Sequence, residues 1–263
     1  LFRRLSRWAT IPIAFTLAVG LSGCGVGDPA TSASSGTSSD SGSTTLTVFA
    51  AASLTGTFTE LGKTFEAAHP GTTVRFNFGS SATLAQQIVE GAPADVFAAA
   101  SPATMKTVTD ASPAGTPVTF VRNILQIAVP ADNPAKVDGL SDLTDPKVKV
   151  ALCAEQVPCG AAAAKALDAA GLKVTPVTLE QDVKATLAKV SLGEVDAALV
   201  YRTDVISSGG KVSGIDFPEA EKAINDYPIA TVSKAPEAAR RFVDLVLSQQ
   251  GRDVLTKAGF QAP

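Results

Sequence analysis

The 263-residue chain has 45% hydrophobic and 18% charged side chains and a formal net charge of −3, which suits a folded core and leaves nucleic acid without its usual basic footprint. A single histidine, His69, supplies too little imidazole for a His-based nucleophile triad or a His-rich metal site. No Gly-x-Ser-x-Gly, P-loop or dinucleotide-binding fingerprint occurs.

At the start of the chain, Arg3, Arg4 and Arg7 precede an apolar run from Ala9 to Leu21 that is short for a bilayer span, so residues 1–23 read as a secretory signal. Leu21-Ser22-Gly23-Cys24 follows and resembles the lipobox of bacterial lipoproteins. That resemblance implies a lipidated Cys24 as the new N-terminus, anchored on the extracytoplasmic face of the cell membrane. The alternative is an ordinary cleaved signal with a chance cysteine. Residues 24–43 are mostly Ser, Thr, Gly, Ala and Asp, which offer no apolar surface to offset chain entropy, and are expected to form a flexible tether. Without the three leader arginines the chain carries 19 basic and 25 acidic side chains, net −6. The remaining stretch of about 220 residues can form one large or two modest domains, and no second membrane segment is apparent.

Beyond the tether, Leu46–Ala50, Val74–Phe78, Val96–Ala99, Ile124–Val129, Val148–Leu152, Val174–Leu179 and Ala197–Tyr201 are the strand candidates. Helical patterns alternate with them. Leu54, Phe58, Leu61 and Phe65 form one apolar stripe, and Val183, Leu187 and Val190 form another. Leu84–Glu90 reads as a short helix, Cys159–Ala170 as an alanine-rich one, and Glu237–Gln249 and Arg252–Lys257 as the last two. The alternation predicts an α/β fold with mostly parallel sheets covered by helices on both faces. No internal repeat is visible. Asn123–Pro130 and Tyr227–Val232 are candidate crossing strands between two lobes, the first built from residues 44–123 plus 233–263 and the second from 124–232.

The chemical inventory is sparse. His69 sits at the expected end of the first long helix, the place of a solvent-facing or C-capping residue. Asp95, Asp196 and Asp204 flank strands, where an enzyme could place acids but where strand-end capping or salt pairing is the commoner role. Cys153 and Cys159 bracket a strand-to-helix loop, and in an oxidising compartment this favours a structural disulfide over a free pair. Four junctions lead from a strand into a helix: Ala51-Ala52-Ser53, Gly79-Ser80-Ser81-Ala82-Thr83, Val157-Pro158-Cys159-Gly160 and Glu180-Gln181-Asp182-Val183. Helix starts collect unsatisfied N–H groups and a partial positive potential, so several of them converging could hold an anion. Taken singly, each is an ordinary cap.

Three separated motifs, Val48–Leu54, Phe78–Ile88 and Gly91–Phe97, resemble the periplasmic molybdate-binding proteins of ABC importers. The similarity continues through Val157–Gly160, Asp182–Lys184 and Leu199–Tyr201. The resemblance implies a two-lobed periplasmic-binding-protein fold joined by two crossing strands. It also implies capture of molybdate, and of tungstate, for a membrane permease and its ATPase by a monomeric receptor with no catalytic residues and no cofactor. Carried over by motif, Ser53 and Ser81 would offer hydroxyl and backbone N–H, Cys159 and Val183 backbone N–H, and Tyr201 its phenol. Cys159 stands where relatives often have alanine, and Ala82 where some have a hydroxyl. Arg202 could reach the cleft rim or belong to the surface. The rival readings are a receptor for sulfate or phosphate, an exported hydrolase using Ser53 or Ser81 without a histidine base, and a purely structural surface protein.

Overall fold

The computed structural model describes residues 43–232 and 234–263; the signal segment 1–23, Cys24 and the tether up to residue 42 lie outside the described residues. In chain order, β1 (Thr44–Ala51) runs through a 3-10 turn at Ala52–Leu54 into α1 (Thr55–Ala68), followed by β2 (Thr72–Gly79), α2 (Ser81–Val89), β3 (Val96–Ala98) and α3 (Pro102–Ala111). Then come β4 (Val118–Asn123), β5 (Leu125–Pro130), β6 (Val150–Cys153), α4 (Pro158–Ala170), β7 (Thr178–Glu180) and α5 (Val183–Ser191). The chain closes with β8 (Ala197–Tyr201), α6 (Arg202–Ser207), β9 (Val212–Ile215), β10 (Asn225–Thr231), α7 (Glu237–Leu247) and α8 (Gln249–Lys257).

The strands form two five-stranded sheets ordered β2-β1-β3-β10-β4 and β7-β6-β8-β5-β9. In the first, β1 pairs in parallel with β2 and β3, while β10 pairs antiparallel with β3 and β4. In the second, β6 pairs in parallel with β7 and β8, while β5 pairs antiparallel with β8 and β9. Each sheet therefore has four strands running one way and one running against them, always in fourth position. That odd strand arrives from the opposite sheet: β4 passes through Ile124 into β5, and β9 passes through residues 216–224 into β10. The sheets are thus mixed, although mostly parallel in direction.

The α1 stripe forms as the spacing predicts: Leu54, Phe58, Leu61 and Phe65 are all buried against the first sheet, with Phe242 of α7 stacked edge-on to Phe58 and Phe65. His69 caps the same helix, its Nδ1 lying 2.9 Å from the Phe65 carbonyl and its ring stacked on that of Phe65. Helices α7 and α8 contribute Ala239, Phe242, Val246 and Leu255 to the first core, as expected for the C-terminal segment. The placement of Tyr227–Val232 differs from the sequence-based expectation. This stretch falls within β10 and its flank and pairs inside the first sheet, so the sheets divide at residues 216–224 and not after residue 232. An apolar extended run announces a buried strand but carries no mark of the sheet that will bury it. Strands β4 and β9 and helices α3 and α6 are further elements that periodicity did not reveal.

Asp95 and Asp196 have structural roles. Asp95 Oδ2 accepts from the Thr47 N–H at 2.8 Å, and Asp196 Oδ2 accepts from the Lys149 N–H at 2.8 Å. Each residue thereby ties the start of one inner strand, β3 or β8, to its parallel neighbour.

Cys153, the last residue of β6, is disulfide-bonded to Cys159 in the first turn of α4. A cross-link across so short a loop restrains the unfolded chain modestly. Replacing both cysteines by alanine should lower unfolding free energy by about 2 kcal/mol in a denaturant titration. An unchanged transition midpoint would show that the loop is held by packing alone.

Candidate functional site

The parallel strands of both sheets deliver their carboxyl ends, and the helices that follow, to one cavity, the usual location of ligand sites in α/β sheets. The cavity is lined by Ala51, Ala52 and Ser53 after β1; Gly79, Ser80 and Ser81 after β2; and Ala100 after β3. The second sheet contributes Val157, Pro158 and Cys159 after β6, Asp182 and Val183 after β7, and Tyr201 at the end of β8. All five residues expected at a ligand site, Ser53, Ser81, Cys159, Val183 and Tyr201, are in this lining. The cavity measures about 20 Å³, whereas the larger grooves elsewhere measure 310 to 420 Å³. A buried water needs about 10–15 Å³ on the same scale, so the space is confined to a small guest.

The backbone contributes donors. Ser81 and Val183 are the first residues of α2 and α5, and Cys159 is the second of α4, positions whose N–H groups a helix cannot satisfy internally. In α5, Asp182 Oδ1 accepts from the N–H groups of Lys184 at 2.8 Å and Ala185 at 3.0 Å, turning its charge into the helix and leaving the Val183 N–H to the cavity. In α4, Pro158 at the first position has no N–H to satisfy, and Gly160 lets the helix press onto the end of β6. A Cβ on Gly160 would stand 1.9 Å from the Ala154 carbonyl oxygen, so any larger residue would displace the turn that carries Cys159.

The hydroxyls are oriented by a buried network. Asn225 Nδ2 donates to Tyr201 Oη at 2.8 Å and to the Ala100 carbonyl at 2.7 Å. The Ala100 N–H donates to Ser81 Oγ at 2.9 Å. Asn123 Nδ2 donates to Thr203 Oγ1 at 2.9 Å and to Tyr227 Oη at 3.3 Å, and Tyr227 Oη lies 2.9 Å from Ser53 Oγ. Tyr227 thereby links Asn123 to Ser53 through one shared hydrogen bond. Ser81 and Tyr201 thus each receive a hydrogen bond from behind and keep a proton for the cavity, while Ser53 shares its bond with Tyr227. Burial pushes the phenols of Tyr201 and Tyr227 well up from their ordinary range, and each ring's proximity to other acidic groups adds to this, so both stay protonated donors.

No lysine, arginine or histidine is among the lining residues. Arg202 turns away from the cavity and pairs with Asp216 Oδ1 at 3.0 Å. Among the described residues no cluster of three or more His, Cys, Asp or Glu side chains could hold a metal ion. The sequence reading missed Asn123, Asn225, Tyr227 and Ser80. The available signal was the flanking of two apolar crossing segments by asparagines, and the rarity of tyrosine, with only two in the chain, both buried at this site.

Asp204, fully buried in α6, braces the second half of the site. Its Oδ2 accepts from the Tyr201 N–H at 3.3 Å, and Lys184 Nζ lies 3.0 Å from its Oδ1. Desolvation raises its pKa above the ordinary 3.8, the Lys184 ammonium and the Tyr201 N–H pull it back, and Asp182 adds a small push upward. A carboxyl whose folded pKa is raised opposes folding when ionised, and that opposition fades as pH falls through the raised pKa. Wild-type stability relative to Asp204→Asn should therefore improve as pH drops from neutral toward 3.8, measured by denaturant unfolding. A stability gap that stays constant with pH would contradict this account.

Comparison with known proteins places this geometry in context. The bacterial extracellular solute-binding protein family model matches residues 46–261. The molybdate-binding protein ModA of Mycobacterium tuberculosis (strain H37Rv) is 41% identical over 263 residues, covering 98% of this chain and all of the relative. ModA of Escherichia coli K12 is 32% identical over 230 residues, covering 82% of this chain and 88% of the relative. Among solved structures, the Azotobacter vinelandii periplasmic molybdate-binding protein superposes with a TM-score of 0.71 at 22% identity, covering 83% of this chain and 99% of that one. The sulfate-binding protein SubI of M. tuberculosis gives a TM-score of 0.71 at 19% identity, covering 83% and 87%. At these identities the two superpositions speak for the fold alone.

Proposed function

This chain belongs to the bacterial extracellular solute-binding proteins, as a ModA-type homologue, and from that premise we propose that its cavity captures molybdate, and tungstate with it, for delivery to an ABC importer. It is a transport receptor of the extracytoplasmic space and not an enzyme. The observation that carries the choice of ligand is the ring of neutral donors: three hydroxyls, two of them accepting from behind, and helix-start N–H groups, with no cation among the lining residues.

In this reading the five residues act as direct ligands. Ser53 and Ser81 give hydroxyl and backbone N–H, Cys159 and Val183 give backbone N–H, and Tyr201 gives its phenol. A tetrahedral dianion accepts from all of them, and each charge-assisted bond contributes on the order of 1.5–3 kcal/mol. Using helix starts in place of lysine spares the protein the desolvation of a buried ammonium. Sulfate carries the same charge with shorter bonds, so it would leave some donors stretched or unmet, at about 1–3 kcal/mol for each unsatisfied group. Hydrogenphosphate brings a proton of its own to a ring that already presents protons.

Calorimetry should show one molybdate per chain, comparable tungstate binding, and sulfate and phosphate weaker by roughly a hundredfold, the sum of one or two unmet bonds. Ser53→Ala, Ser81→Ala and, more mildly, Tyr201→Phe should weaken molybdate while the ligand-free protein still folds cooperatively, less stable by about 1–3 kcal/mol where a buried partner is left unmet. Sulfate binding as tight as molybdate binding in matched buffer would overturn the assignment in favour of a general oxyanion receptor.

The finer localisation is also proposed: residues 1–23 are removed on export, and Cys24 carries the lipid that holds the receptor beside its permease through the tether. Mass analysis of the native N-terminus should find an acylated Cys24. An unmodified N-terminus downstream of Cys24 on membrane-free protein would refute the anchor.

A further inference from the structure

Ser80 stands out at the same cavity. It is the N-cap of α2, a nine-residue helix, and serine is among the residues that most readily cap with the side chain. Ser101, Asp182 and Ser248, in the equivalent position of α3, α5 and α8, each accept hydrogen bonds from N–H groups of their own helix. Ser80 makes no such bond. Its residue is 7% exposed, it lines the cavity, and among the described residues no protein group lies within hydrogen-bonding geometry of its Oγ.

A buried hydroxyl without a protein partner costs about as much as a lost hydrogen bond, and the capping bond that serine usually makes at this position is not formed. Ser53, Ser81 and Tyr201 are hydrogen-bonded to Tyr227, Ala100 and Asn225. Ser80 has no such fixed orientation and can turn its proton to whichever oxygen of a guest lies nearest.

We propose that Ser80 is a further direct ligand of the captured oxyanion, its Oγ donating to an oxygen that the five residues assigned by motif leave unsatisfied. Being adjustable, this donor follows the radius of the guest, whereas the helix-start N–H groups are fixed by the backbone. The inference rests on the oxyanion reading of the cavity.

The test pairs affinity with stability in Ser80→Ala, using molybdate, tungstate and sulfate as probes on otherwise unaltered protein. A ligand role predicts molybdate and tungstate affinities lower by about tenfold or more, with a ligand-free melting temperature unchanged or higher, because an unpartnered buried hydroxyl has been removed. A capping role predicts the opposite pattern, a lower ligand-free melting temperature with unaltered affinity, and overturns the proposal. Unaltered affinity with unaltered stability also overturns it. Ser80→Thr keeps the hydroxyl and should retain more affinity than Ser80→Ala; equal losses in the two variants would assign the effect to packing and count against donation. If wild-type protein binds none of the three anions, the oxyanion reading itself fails, and that outcome is distinct from binding by wild type with no effect at Ser80.

Discussion

An anion cavity without cations requires every proton around it to point inward, and the surrounding architecture serves that requirement. A hydroxyl is indifferent between donating and accepting until something fills its lone pairs. Here the contacts come from the crossing segments: Asn225 donates to Tyr201, and Asn123 donates to Tyr227, which shares a hydrogen bond with Ser53. These asparagines face each other in the β4–β10 pairing, at the places where the chain leaves one sheet and enters the other. The groups that set proton direction therefore sit where the two halves are joined, so the polarity of the site depends on both halves being correctly seated. Desolvation of the two tyrosines reinforces this by keeping their protons in place.

The elements that define the lining were legible because helix starts after apolar strands have a local signature. Ser53, Ser81, Cys159 and Val183 each lie at a junction where β-rich sequence gives way to a three-to-four-residue periodicity, and the motif resemblance named them together with Tyr201. What could not be read was long-range. Ser53 meets Tyr227 across 174 residues, and Asn123 meets the same phenol across 104. Nothing in the immediate neighbourhood of Tyr227 encodes those meetings. The placement of β10 was hidden for the same reason. Strand β9 contains Ser213 and Gly214 and is only partly buried, so its apolar signal is weak, and β4 has its two buried hydrophobics, Phe120 and Val121, side by side instead of alternating.

The two halves also share a plan that the residue pattern concealed. Sheet order maps β2-β1-β3-β10-β4 onto β7-β6-β8-β5-β9, and the correspondence extends to single bonds, since Asp95 before β3 and Asp196 before β8 each cap a backbone N–H beside the neighbouring strand. Backbone topology and one carboxylate are common to the halves while most side chains differ, so a search for repeated residues finds nothing. The differing side chains divide the work at the cavity: hydroxyl-rich junctions come from the first sheet, and backbone N–H groups with one phenol from the second.

The strand exchange has a consequence for the order of assembly. Strand β4 pairs in its sheet with β10, about a hundred residues later, whereas β5 to β9 lie within one continuous stretch and complete their sheet among themselves. A chain emerging N-terminus first can close the second sheet while the first still lacks the strand between β3 and β4. Loop-closure entropy favours the same sequence of events, because pairing β10 with β3 spans more than a hundred residues. Without that strand, β3 and β4 lack their shared neighbour and Asn123 has no facing partner. The donor network that Asn225 and Tyr227 complete therefore depends on a pairing across more than a hundred residues, and the site is whole only with β10 in place.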